Sequence, residues 1–104
     1  ADDRARRVAE ALAADPSDQR TLAAWGRAVG ASDRTLARLF VAGTGMTFGR
    51  WRAGARLAAA LPLLAAGAGI AAVSRRVGYA SPSAFVAAFR REVGTTPGEY
   101  FGSG

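Results

Sequence analysis

The chain has 104 residues, half of them apolar, which is enough to bury one core and too apolar for disorder throughout. It contains no Cys and no His, so disulfides and thiolate metal sites are excluded, and its eight carboxylates form no pair poised for catalysis; neither an enzyme nor a cofactor is expected. All 14 basic residues are Arg and the net charge is +6, but residues 1–19 hold three Arg against five acids while the remainder holds eleven against three, a basic body suited to nucleic acid or an anionic membrane.

From Asp3 to Ala14, the residues Val8, Ala9, Ala11 and Leu12 recur at helical spacing, and Asp15-Pro16-Ser17 stops the pattern. A helix follows from about Thr21 to Val29 with Leu22, Trp25 and Val29 inward. Gly30-Ala31-Ser32 turns the chain, and Ser32 is placed to cap a helix that buries Leu36, Leu39 and Phe40 and ends at Gly43 or Gly45. Thr47 starts a long helix through Trp51, Leu57, Leu61 and Leu64, which Pro62 should kink or split. A short helix over Ile70–Val77 leads to the turn Gly78-Tyr79-Ala80-Ser81. Ser81-Pro82 is a cap with Pro at the first helical position, and Phe85, Ala88 and Phe89 point inward before Gly94. Thr96-Pro97-Gly98-Glu99 has capping-box spacing and predicts a terminal helix with Tyr100 and Phe101 packed down. No strand pattern occurs. Arg or Gly interrupts every apolar run before the roughly 18 residues that a membrane span needs, and the charged start lacks a signal-peptide core, so a cytoplasmic protein without membrane attachment is expected.

The two halves match each other. Leu22-Ala23-Ala24-Trp25, Arg27, Val29 and Gly30 parallel Ile70-Ala71-Ala72-Val73, Arg75, Val77 and Gly78. After a second turn one residue longer, Ser32, Leu36, Phe40, Gly45, Thr47, Gly49 and Trp51 parallel Ser81, Phe85, Phe89, Gly94, Thr96, Gly98 and Tyr100. One supersecondary unit is used twice, and helix, Gly-containing turn, helix is the helix-turn-helix arrangement. Periodicity alone fits a generic helical bundle equally well, with Trp25, Trp51, Tyr100 and Phe101 as core. The outward residues of the second helices shift the balance toward DNA.

In the first such helix, Asp33, Arg34, Thr35, Ala37, Arg38 and Val41 point away from the Leu36–Leu39–Phe40 face, and Arg34 and Arg38 share one stripe. Arg suits bidentate contact with guanine in the major groove. In the second, Pro82, Ser83, Val86 and Ala87 are outward with Arg90 and Arg91 beyond them. Small apolar groups can meet thymine methyls, but no long forked donor is present, so shape readout and phosphate anchoring suit this helix better. The helix starts at Ser32, Thr47, Ser81 and Thr96 can offer backbone N–H groups to phosphates besides capping. Thr35, Arg50 and Arg90 join them as phosphate candidates, and Arg52, Arg75 and Arg76 extend the basic surface; Arg27 and Arg56 can instead be structural.

The stretch Ser32-Asp33-Arg34-Thr35-Leu36-Ala37-Arg38-Leu39-Phe40 with Gly45-Met46-Thr47-Phe48 resembles the first recognition segment of AraC-type regulators. Val77-Gly78-Tyr79-Ala80-Ser81-Pro82-Ser83-Ala84-Phe85, then Phe89-Arg90-Arg91 and Gly94-Thr95-Thr96-Pro97-Gly98-Glu99-Tyr100, resembles the second, the family's signature region. The likeness covers residues 5 to 102. It implies an all-α fold of about seven helices, with a helix-turn-helix over 20–45, a linker helix over 46–69 and a second helix-turn-helix over 70–94, in a single domain over 1–104. It also implies sequence-specific binding of double-stranded DNA through two recognition helices in successive major-groove segments. Base-facing residues are then Arg34, Ala37 and Arg38 in the first, and Pro82, Ser83, Val86 and Ala87 in the second; the family often has Arg where this chain has Ala87. RNA polymerase, and an N-terminal sensor or dimerisation domain outside this chain and similar to the cupin-type subgroup's, are the other partners implied. A helical interaction module and a nonspecific nucleic-acid binder stay open beside this reading.

Overall fold

The computed structural model describes residues 2–102, and among these every regular element is a helix. There are seven: α1 (Arg4–Ala14), α2 (Leu22–Val29), α3 (Asp33–Thr44), α4 (Phe48–Ala65), α5 (Ile70–Arg76), α6 (Pro82–Val93) and α7 (Pro97–Tyr100). They make an all-α chain of two helix-turn-helix subdomains joined by the long helix α4. Among the described residues no helix is long and apolar enough to cross a membrane. The chain divides into two compact units, one ending at Arg52 and one beginning at Ala53, so the first turn of α4 belongs to the first unit and its remainder to the second.

In the first unit, α1 and α2 both pack on α3. Val8, Leu12, Leu36 and Phe40 are fully buried, with Trp25 and Phe48 closing the cluster. Phe40 meets Phe48 edge-on at 5.7 Å and Trp51 at 6.4 Å. Trp51, expected in the core, is half-buried, and its indole N–H donates to the Ala9 carbonyl at 3.2 Å, which ties α4 to α1. The acidic start of the chain is consumed locally: Arg6 pairs with Asp3 and Glu10, Arg7 with Asp3, and Arg4 with Asp2. The hydrogen bond from the Arg4 guanidinium holds the Asp2 carboxyl down to about 2.

In the second unit, α6 packs on α5 and α7. Ala60, Val73, Val77, Phe85 and Phe89 form the buried cluster, with Leu57, Leu61 and Leu64 of α4 packed against it. Ala60 is the fully buried member of that stretch, and the larger leucines around it are only half-buried. Pro62 does not split α4, which runs unbroken to Ala65. The residue lies on the exposed side, and the carbonyl deprived of its donor is that of Ala58, also exposed, so it is open to solvent and the missing hydrogen bond costs little.

The repeat read from the sequence reappears in backbone detail. Gly30 and Gly78 both turn at positive φ, 76° and 104°, where an L side chain is strained. The Ala31 N–H then reaches the Gly26 carbonyl at 2.8 Å, and the Tyr79 N–H the Ser74 carbonyl at 2.9 Å. Phe89 against Tyr100, edge-on at 5.8 Å, repeats Phe40 against Trp51. The short α7 is thus the second copy of the opening turn of α4. Tyr100 and Phe101 are not packed down as expected, being 54% and 37% exposed. A four-residue helix buries Pro97 and little else, and among the described residues Tyr100 finds no counterpart of the carbonyl that α1 gives Trp51.

Candidate nucleic-acid interface

Each second helix of the two hairpins is held by the same local device. The Ser32 oxygen accepts the Thr35 N–H at 3.1 Å, and the Ser81 oxygen accepts the Ala84 N–H at 3.1 Å. Pro82 at the first position of α6 costs nothing, because that N–H has no partner inside a helix. Both helices are 12 residues long and end on a left-handed glycine, Gly45 or Gly94. The buried edge of each is fixed by an aromatic and its predecessor one turn earlier, Leu36 and Phe40 in α3, Phe85 and Phe89 in α6. The opposite face is thereby turned outward.

On α3 that face carries Arg34 and Arg38, both exposed and about 6 Å apart along the axis. Neither has an ion pair among the described residues. Asp33 does not neutralise them: its carboxylate accepts the backbone N–H of Arg34 at 2.8 Å. Ala37 is half-buried between them. Thr35 is also half-buried, and its hydroxyl accepts that of Ser32 at 2.9 Å. Val41, one turn beyond Arg38, is half exposed.

On α6 the outward residues are Pro82, Ser83, Ala87, Arg90 and Arg91, all exposed, with Val86 half-buried against the core. These six line one shallow depression. Arg90 lies near the Glu99 carboxylate and contributes to lowering its pKa, behind the larger effects of hydrogen bonds from the Thr96 backbone and the Thr96 and Thr95 hydroxyls. The Thr96–Glu99 capping box is complete in both directions, so the Thr96 hydroxyl is spent on Glu99. The Thr47 oxygen accepts the N–H of Arg50, whose side chain is exposed.

Other arginines serve structure. Arg56 is only 7% exposed and lies 5.0 Å from the Tyr79 ring. Arg52 donates to the Arg20 carbonyl at 2.7 Å and lies over Phe48. Arg20 stacks on Trp25 at 3.9 Å while pairing with Asp18. Sequence reasoning missed the Arg20–Trp25 stack, because Arg20 falls in the loop before α2 where periodicity is silent. Arg27, the alternative structural arginine, is exposed. The described residues contain no group of acids, His or Cys able to hold a metal ion.

The family described as "Helix-turn-helix domain" matches residues 25–103. Among curated proteins, the chain is 44% identical over 96 residues to the HTH-type transcriptional regulator RipA of Corynebacterium diphtheriae, covering 92% of this chain and 29% of that protein. The chain thus spans under a third of that relative's length. Among solved structures, the C-terminal domain of AraT, a response regulator from Geobacillus stearothermophilus, superposes with a TM-score of 0.89 at 23% identity over 99% of this chain and 87% of that one. The DNA-binding domain of AdpA, a global transcriptional factor solved in complex with a target DNA, gives 0.87 at 26% identity over 98% of this chain and 93% of that one.

Proposed function

Since this chain belongs to the AraC-type family of helix-turn-helix domains, which are DNA-binding parts of transcription regulators and not enzymes, we propose that it binds duplex DNA sequence-specifically through α3 and α6. The observation that carries this is the pair of exposed arginines on α3: Arg34 and Arg38 stand one turn apart on the outward face of a recognition helix, without an ion pair among the described residues. Guanidinium groups so placed suit the O6 and N7 acceptors of guanine, with Ala37 between them. The second helix presents Pro82, Ser83, Val86 and Ala87 to an adjacent major-groove segment.

Phosphate contacts fall to Thr47, Arg50, Ser81 and Arg90, with backbone N–H groups of the helix starts helping. Ser32 and Thr96 spend their hydroxyl groups in the caps, so a phosphate near them meets backbone instead, whereas the Thr35 hydroxyl only accepts there and keeps its proton for a phosphate. In the intact regulator we assign a separate sensor or dimerisation domain to the length that the relatives have beyond this part, and RNA polymerase as the partner recruited. Such a DNA ligand implies the cytoplasm as the site of action.

The test is Arg38→Ala on a duplex selected from a random pool. It should weaken specific binding by about 1–3 kcal/mol and relax one base position, with little change on random duplex. An equal loss on both duplexes would move Arg38 to the phosphates, and a wild-type chain without preference for the selected duplex would defeat the proposal.

A further inference from the structure

The two recognition helices carry their charge in opposite order. With the capping serines aligned, Arg34 and Arg38 of α3 correspond to Ser83 and Ala87 of α6, while Val41 and Ala42 correspond to Arg90 and Arg91. The cations of α3 therefore occupy its first turns, where a recognition helix meets base edges, and those of α6 occupy its last. What α6 presents in the leading turns is short and apolar: the Pro82 ring, the Ala87 methyl and the outer part of Val86, beside one hydroxyl from Ser83.

Only the Ser83 hydroxyl can hydrogen-bond a base edge, and none of these side chains supplies the two-pronged contact that fixes one base. The one apolar group that a base pair projects into the major groove is the C5 methyl of thymine. The depression lined by Pro82, Ser83, Val86, Ala87, Arg90 and Arg91 offers that group an open, largely apolar seat. Its floor is apolar and is braced from below, because Val86 also packs on the Val77–Phe85–Phe89 cluster and cannot swing away. Its rim is cationic and complements the phosphates that flank any base in the groove. The last-turn position of Arg90 and Arg91 also suits the helix dipole, but the dipole does not account for the apolar floor.

We propose that the outward face of α6 is a thymine-methyl reader: the part of the target met by this helix is recognised through the C5 methyls of its thymines, with Arg90 and Arg91 on the adjoining phosphates. This rests on the DNA-binding reading above and names the chemistry of its second half.

Deoxyuridine lacks the methyl and keeps every hydrogen-bonding group of thymine, so it isolates the contact. Each thymine of the selected duplex is replaced in turn by deoxyuridine, and affinity is measured for the wild-type chain, Ala87→Ser and Arg38→Ala. One or more replacements should weaken wild-type binding by about fourfold, as the loss of one buried methyl-sized contact gives. In Ala87→Ser, an exchange at an exposed helical position that leaves the core intact, that penalty should shrink toward none. In Arg38→Ala it should persist. Uniform insensitivity to deoxyuridine would overturn the proposal while leaving specific binding standing. A penalty unchanged in Ala87→Ser, and unchanged again in Pro82→Ser and in Val86→Thr, would also overturn it, because the methyl would be read elsewhere. No preference of the wild type for the selected duplex over random sequence would bring down the DNA-binding reading itself, and this one with it.

Discussion

A Cβ built on Gly26 would stand 2.5 Å from the Ala31 carbonyl oxygen, closer than atoms of that kind approach. The contact follows from the turn, which folds Ala31 back so that its N–H bonds the Gly26 carbonyl. The obstacle is backbone and cannot rotate away. Gly26→Ala should therefore destabilise the first unit by about 1–3 kcal/mol in urea unfolding, the range for an overpacked site; a neutral result would mean that the turn yields. The matching residue in the second copy is Ser74, fully buried, with its hydroxyl on the Ile70 carbonyl at 2.7 Å. There the turn is one residue longer, and a Cβ is accommodated. Trp25 adds a second detail that spacing does not foretell: it is buried under Arg20, and its indole N–H finds no acceptor among the described residues.

Among the elements, α7 is the clearest case of local sequence writing structure. Four residues are too few to hold a helix by propensity, and the capping box does the work with Pro97 buried beneath it. Glu99 accepts the Thr96 N–H at 3.2 Å and the Thr96 hydroxyl at 2.9 Å, and these bonds lower its pKa. A carboxylate whose folded pKa is depressed stabilises the fold above its unfolded value, and the contribution is lost as pH falls through the folded one. Helix α7 should thus stay capped at neutral pH and loosen only in acid, below the ordinary glutamate range of roughly 4.3. The Thr96 amide resonance, followed by NMR titration, should move with a midpoint under that range; a midpoint at or above it would mean that the box is open in solution. The unbroken α4 makes the complementary point. Pro62 is tolerated because its defect faces water at Ala58, a matter of which side of the helix is buried.

For the whole molecule, charge is sorted by function along the chain. The first 19 residues pair their three arginines internally, as in Arg6–Glu10 and Arg7–Asp3, and keep a net −2, whereas the +8 of the remainder is largely unmatched by acids. A surface of this kind binds polyanions with strong salt dependence. If Arg50, Arg90 and Arg91 each neutralise one phosphate, the logarithm of the association constant should fall with the logarithm of salt concentration at a slope of about −3. Fluorescence anisotropy between low and physiological salt measures it. A slope near zero would show that these arginines do not meet phosphates.

Local chemistry was enough to fix the helices, both turns, the caps at Ser32, Ser81 and Thr96 and the duplication, because each rests on contacts within a few residues of chain. The outward stripe holding Arg34 and Arg38 was legible for the same reason, since burial of Leu36 and Phe40 dictates the opposite face. Packing between distant segments decided the rest. Arg56 is buried beside Tyr79, Trp51 is anchored on Ala9, and Tyr100 is left half exposed although it repeats Trp51 in the pattern. Those outcomes depend on which neighbouring helix supplies a partner at close range, and residues tens of positions apart in the chain exert no periodic signal on one another.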